Sequence, residues 1–166
     1  MNSLQIAEEF EEELIRMRRT LHAHPELSWE EYHTQKTIIE ILSREGIECI
    51  TPYKTAVIAF VSGEKKDAVS SDKKTGKKKI LGIRADIDAL PIQEKNVCSF
   101  TSEQDGVMHA CGHDLHNASL LGAAIVLANN KDKFAGTVKL IFQPGEEIGA
   151  GAQEMIKNGE VKGVER

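Results

Sequence analysis

The 166-residue sequence is poor in cysteine, proline and aromatic residues: three Cys, four Pro, one Trp, two Tyr and five Phe. Three cysteines, a small and odd number, argue against a disulfide framework. No apolar run reaches the ~18 residues of a membrane span. The N-terminal MNSLQIAEEFEEELIRMRR has no uninterrupted apolar stretch and does not read as a signal peptide, so the cytoplasm is the expected compartment and no membrane partner is expected. There is no excess of positive charge: 21 basic and 26 acidic residues give −5, which offers no general reason to expect nucleic acid. HExxH, GxSxG and internal repeats are absent. Gly149-Ala150-Gly151 is rejected as a dinucleotide loop, because Glu154 stands where the third glycine belongs and Glu146 and Glu147 would repel a pyrophosphate.

What is present reads as one globular domain. Apolar residues make up 40%, too much for a disordered chain. Ile6, Phe10, Leu14, Met17 and Leu21 form a stripe with helical spacing, acidic early and basic late, ended by Pro25. Ser28-Trp29-Glu30-Glu31 reads as a capping box, so a second helix is expected from Ser28, with Ile38, Ile41 and Leu42 on its apolar face and Gly46 as C-cap. Strands are expected at Ala56–Val61, at Ile80–Asp88 and, after Gly136, at Thr137–Gln143; helices at Leu115–Ala128 and about Gly151–Lys157. In the second strand Leu81, Ile83, Ala85 and Ile87 alternate with Arg84, Asp86 and Asp88, which puts the charged trio on one face. The order favours an α/β layered fold with a mixed, mostly parallel sheet flanked by helices. Residues 64–79 carry seven lysines against three acids, a local +4 that leaves −9 for the rest; they read as a solvated loop, since the stacking residues of a nucleic-acid patch are missing.

Three blocks carry chemistry. Met108 to His116 packs one thiol, three imidazoles and one carboxylate into nine residues before a helix. On an extended loop Cys111 and His113 would point the same way, and thiolate and imidazole both suit a borderline-soft divalent metal. The plainer reading has Asp114 capping the helix, Cys111 buried and the histidines on the surface. In Phe142-Gln143-Pro144-Gly145-Glu146-Glu147, paired carboxylates follow a strand end, the usual place for a site in an open α/β sheet. One can bind a metal while its neighbour takes a proton from water. In Arg84 to Pro91, Asp88 could orient a ligating imidazole, while Arg84 and Asp86 suit an ion pair. For His22, His24 and His33 a capping or surface role is preferred.

The stretches IRMRRTLHAHPELSWEE, GIRADIDALPIQE, MHACGHDLHNASLLGAA and GTVKLIFQPGEEIGAGAQEMIKNG together resemble the metal-dependent amidohydrolases of peptidase family M20. The branch is that of N-acyl amino acid hydrolases, hippurate hydrolases, N-acetyldiaminopimelate deacetylases and plant auxin-conjugate hydrolases. The resemblance covers nearly the whole chain. It implies a zinc-peptidase-like α/β sandwich with a two-metal site holding zinc or manganese, with cobalt and nickel also admitted. It further implies Cys111, His113 and Glu147 as metal ligands, Glu146 as general base and Asp88 as the aspartate behind the ligands; Asp86, which stands where other branches carry a ligating histidine, is not assigned. The implied reaction is hydrolysis of the amide bond of a small N-acyl amino acid. Such enzymes are longer, have further ligating histidines and an inserted dimerisation domain, and are expected to be homo-oligomers. Residues 1–166 are therefore expected to be an N-terminal portion of a catalytic domain; the alternative is a truncated metal-binding fragment without activity of its own.

Overall fold

The computed structural model describes Gln5, residues 8–66 and residues 79–165, the last of these in its backbone only. Its elements are α1 (Glu11–Ala23), α2 (Tyr32–Arg44), β1 (Cys49–Ile50), β2 (Val57–Ser62), β3 (Ile80–Asp86), α3 (His113–Ala128), a short 3-10 turn at Lys131–Lys133, β4 (Thr137–Gln143), α4 (Gly151–Lys157) and β5 (Val164–Glu165). The strands form one sheet in the order β1-β2-β4-β3-β5. It is mixed: β1–β2 and β2–β4 are antiparallel, β3–β4 and β3–β5 parallel. Parallel pairing is less dominant than the sequence suggests. A parallel neighbour needs a crossover, and here α3 provides one between β3 and β4, whereas β1 and β2 are joined without a helix.

Three helices cover one face. Met17 of α1, Ile38 and Leu42 of α2, and Leu120, Leu121, Ala124 and Ile125 of α3 pack with Val57, Ala59, Ala85, Ile87, Leu140 and Phe142 into the main core. On the other face Met155 of α4 packs with Ile58 and Ile141. The layered α/β expectation holds, and β4 and α4 have the bounds read from the sequence. At α2's end Gly46 has φ 65°, and the Ile47 N–H returns to the Leu42 carbonyl at 2.9 Å.

Some expectations are corrected. α2 starts at Tyr32, not Ser28, and no side chain of its N-cap residue caps it. The Glu26 carboxylate instead accepts the His33 and Thr34 N–H groups at 2.9 and 2.8 Å, while the Ser28 hydroxyl donates elsewhere. Ser28 finds a tertiary partner that a local cap cannot match. β3 leaves the ladder after Asp86, and Leu81, expected on the apolar face, is 54% exposed. Ile6 and residues 67–78 of the lysine-rich stretch lie outside the described residues. The entry to that stretch is held: the Glu64 and Lys65 N–H groups donate to the Lys131 and Phe134 carbonyls. No helix among the described residues is long and apolar enough to cross a membrane.

Leu121 is fully buried where α3 meets the sheet. Leu121→Ala is expected to lower stability by about 2–5 kcal/mol. Urea unfolding monitored by far-UV circular dichroism checks this, and an unchanged midpoint would contradict the packing described.

Candidate metal centre

The C-terminal ends of the parallel neighbours β3 and β4 open towards the N-terminus of α3, and the acidic and imidazole side chains gather there. Asp88 sits at the middle. It is fully buried, and its Oδ2 accepts the Ser28 hydroxyl at 2.7 Å and the Glu147 backbone N–H at 2.9 Å. Its backbone carbonyl accepts Nδ1–H of His113 at 2.9 Å, and its Oδ1 stands 3.4 Å from the same nitrogen. This contact fixes the tautomer of the neutral ring: with Nδ1 donating, it is Nε2 of His113 that offers the lone pair towards Glu146 and Asp86 once its proton is displaced.

Around that nitrogen, Oε2 of Glu146 is 3.8 Å away and Oδ2 of Asp86 is 3.9 Å away. Glu147 places Oε1 3.8 Å from the other ring nitrogen, and this buried oxygen has no hydrogen-bond partner. Two sets of three donors lie close enough to share an ion: His113 with Glu146 and Glu147, and Asp86 with His113 and His116. Glu147 is the more enclosed acid, its side chain 14% exposed against 42% for Glu146. An orphaned buried carboxylate oxygen beside an oriented imidazole costs free energy unless something positive meets it, so these residues fit a divalent cation.

The electrostatics agree. Burial works against a charged His113, but hydrogen bonds to the Asp88 side chain and carbonyl and the charges of Asp86 and Asp88 outweigh it and lift its pKa to about 9. Burial also opposes ionisation of Asp88, yet its hydrogen bonds with His113, Ser28 and Glu147 hold its carboxyl below the usual value. A field that favours a proton on His113 favours a metal ion in the proton's place.

Cys111 is exposed and lies outside both donor sets. Gly112 is left-handed, φ 83°, so the segment turns between Cys111 and the start of α3. The nearby Glu147 carboxylate, with burial and the charges of Glu146 and Asp88, pushes the Cys111 pKa up to about 11.

Other residues were hidden from the sequence. His22 is not a surface histidine. It is buried between Asp114 (Nδ1 to Oδ2, 2.7 Å) and Glu94 (Nε2 to Oε1, 3.1 Å), and Asp114 also pairs with Arg18 at 2.8 Å. Asp114 is thus a tertiary anchor for the first turn of α3 rather than a local cap. His24 and His33 do lie at the periphery, their rings 5.1 Å apart. Arg84 pairs with Asp86, as the sequence suggested, and its Nε donates to Gln143 Oε1 at 2.7 Å.

The acid-bearing turn after β4 is held from behind. Glu31, fully buried, accepts the Gly145 N–H at 3.1 Å and the Thr55 hydroxyl. Gly145 has φ 66°, and a Cβ there would meet the Trp29 ring at 2.8 Å, so only glycine fits. Trp29 itself is left-handed, φ 71°, and is packed edge-on by Tyr53 and covered by the Lys54 ammonium at 3.9 Å.

Residues 82–166 match the model of peptidase family M20/M25/M40. N-acetyl-L-cysteine deacetylase of Bacillus subtilis is 44% identical over 93% of this chain and 35% of its own length. N-acyl-L-amino acid amidohydrolase of Geobacillus stearothermophilus is 40% identical over 97% of the chain and 41% of its own. Among solved structures, the Bacillus subtilis YXEP protein, described as a dinuclear metal binding peptidase from the M20 family, superposes with a TM-score of 0.85 at 45% identity, over 95% of this chain and 41% of that one. The chain thus spans well under half the length of these relatives.

Burial raises the Glu31 pKa above its ordinary 4.5, against the hydrogen bonds that lower it. A raised native pKa means that the folded state holds the proton more tightly than the unfolded chain. The stabilisation this gives is complete below about pH 4.5 and is lost as pH rises through the native value. Relative to Glu31→Gln, the natural protein is therefore expected to lose stability as pH rises from about 4 to 7. Paired urea unfolding curves at the two ends measure this, and a difference that stays constant or moves the other way would refute it.

Proposed function

We propose that this chain, which belongs to peptidase family M20/M25/M40, supplies the metal-binding and proton-transfer residues of an amidohydrolase that cleaves N-acyl amino acids. The observation that carries the reading is the oriented His113, with Nδ1 held by Asp88 and Nε2 turned towards Glu146. Under this reading His113, Glu147 and Cys111 hold the cation, zinc or manganese by donor type, with cobalt and nickel also compatible. A divalent ion held there would supply Lewis acidity, polarising the acyl carbonyl and lowering the pKa of water to about 7.

Glu146 is the general base. Its carboxylate is the more exposed of the pair and reaches the cleft beside His113 without being buried among ligands. It takes a proton from the attacking water and returns it to the leaving nitrogen as the amide C–N bond breaks, giving a carboxylic acid and a free amine. Asp88 keeps His113 in one tautomer and, through the Glu147 N–H, fixes where the acidic turn sits. Glu31 and Trp29 hold that turn from the opposite side.

The substrate class is carried by the relatives named above, a deacetylase and an N-acyl amino acid amidohydrolase. Glu146→Gln is expected to abolish release of the free amino acid from an N-acetyl amino acid supplied with zinc or manganese, while metal content stays the same. Retained turnover would refute the base assignment. Cys111→Ala is expected to lower metal content by elemental analysis, and unchanged stoichiometry would count against the thiol as ligand. Metal binding without any turnover by the natural chain would favour the metal-binding fragment over the enzyme.

A further inference from the structure

The first turn of α3 carries a second imidazole. His116 lies one turn beyond His113 on the same face, and the two rings stack with centroids 5.5 Å apart at 30°. Asp86, at the end of β3, directs Oδ2 at both: 3.6 Å to Nδ1 of His116 and 3.9 Å to Nε2 of His113. The other oxygen of Asp86 is engaged by the Arg84 guanidinium, which holds the carboxylate in this orientation. Donors bound to one ion at 2.0–2.2 Å lie about 3–3.5 Å apart, so small side-chain rotations bring these three onto a common centre. A cavity of about 340 Å³, bounded by Asp86, His116, Arg84, Ile83 and Leu120, leaves room for water on the open side of such an ion.

We infer that Asp86, His113 and His116 form a second, nitrogen-rich cation position. It shares Nε2 of His113 with the Glu146 side of the cleft, Asp86 Oδ2 and Glu146 Oε2 standing 3.9 and 3.8 Å from that nitrogen, and competes for it. The inference rests on the reading of His113 Nε2 as a metal-binding nitrogen. Since Nδ1 is committed to Asp88, His113 has one lone pair to give and serves one position at a time. Two imidazoles and one carboxylate suit copper(II), nickel(II) and zinc(II), whereas the oxygen-rich side suits manganese(II). An ion that prefers nitrogen therefore draws His113 away from the catalytic side and acts as an inhibitor.

Copper(II) is the probe, titrated into the full 166-residue chain under a competing chelator and followed by electron paramagnetic resonance. The natural chain is expected to show a centre with two imidazole nitrogens. His116 is exposed, so His116→Ala is expected to fold normally, to lose one nitrogen from the spectrum, and to bind copper at least about 10-fold more weakly, as even loss of an outer hydrogen-bond partner weakens metal sites 10–100-fold. Asp86→Asn is expected to weaken copper in the same direction, and Glu147→Gln to leave both spectrum and affinity unchanged. An unaltered copper spectrum and affinity in His116→Ala would overturn the inference, as would a loss in Glu147→Gln equal to that in His116→Ala, which would mean one shared site. The turnover of Glu146→Gln does not depend on this position, so the two readings can fail separately.

Discussion

The site depends on one buried carboxylate. Asp88 has no exposure to solvent, yet it is held ionised by partners from three other segments: the Ser28 hydroxyl ahead of α2, the Glu147 N–H after β4, and the His113 ring at the start of α3. A charge in that position is costly unless every neighbour is in place. The same contacts that make it tolerable therefore fix the relative positions of the elements that carry the chemistry. The tautomer of His113, the direction of its free nitrogen and the seat of Glu147 all follow from this one group. The fold's part is to bring the ends of β3 and β4 side by side through the α3 crossover, so that residues 59 positions apart can meet there.

A second buried polar network lies behind the first turn of α3. Asp114, next in sequence to the ligand candidate His113, is tied to Arg18 and His22 of α1, and His22 reaches on to Glu94. His109 lies beside them, its ring 6.5 Å from that of His22, and burial lowers its pKa to about 4, so it is neutral at ordinary pH. These groups hold α1 to α3 at the level of the site, where the apolar core of Leu120, Leu121 and Ala124 gives way to polar residues.

The parts of the fold legible in the sequence were those set by local rules. Gly136 and Pro144-Gly145 bracket β4, a β-branched and apolar run, and its bounds follow from them. Gly46 ends α2 by the backbone geometry that glycine permits. The acidic pair, the imidazole of His113 and Asp88 were legible because they are unusual in type and position. What stayed hidden was set by distant partners. Ser28 heads a capping-box pattern but donates to a residue 60 positions away. His22 lies 92 positions from the aspartate that buries it, and nothing local marks it as interior. His116 stands out in the sequence as one of three imidazoles in the 108–116 block, but its carboxylate neighbour is hidden until β3 brings Asp86 alongside. The placement of Cys111 turned on the left-handed Gly112, which residue spacing alone does not reveal.

The central claim is that Asp88 prepares Nε2 of His113 to bind a divalent cation. Crystals of the chain grown with zinc, measured at the zinc absorption edge, test it most directly. The account requires an anomalous difference peak about 2.0–2.1 Å from that nitrogen, with Nδ1 still bonded to Asp88. Zinc bound elsewhere with His113 left unliganded, or a ring turned so that Nδ1 meets the metal, would contradict it.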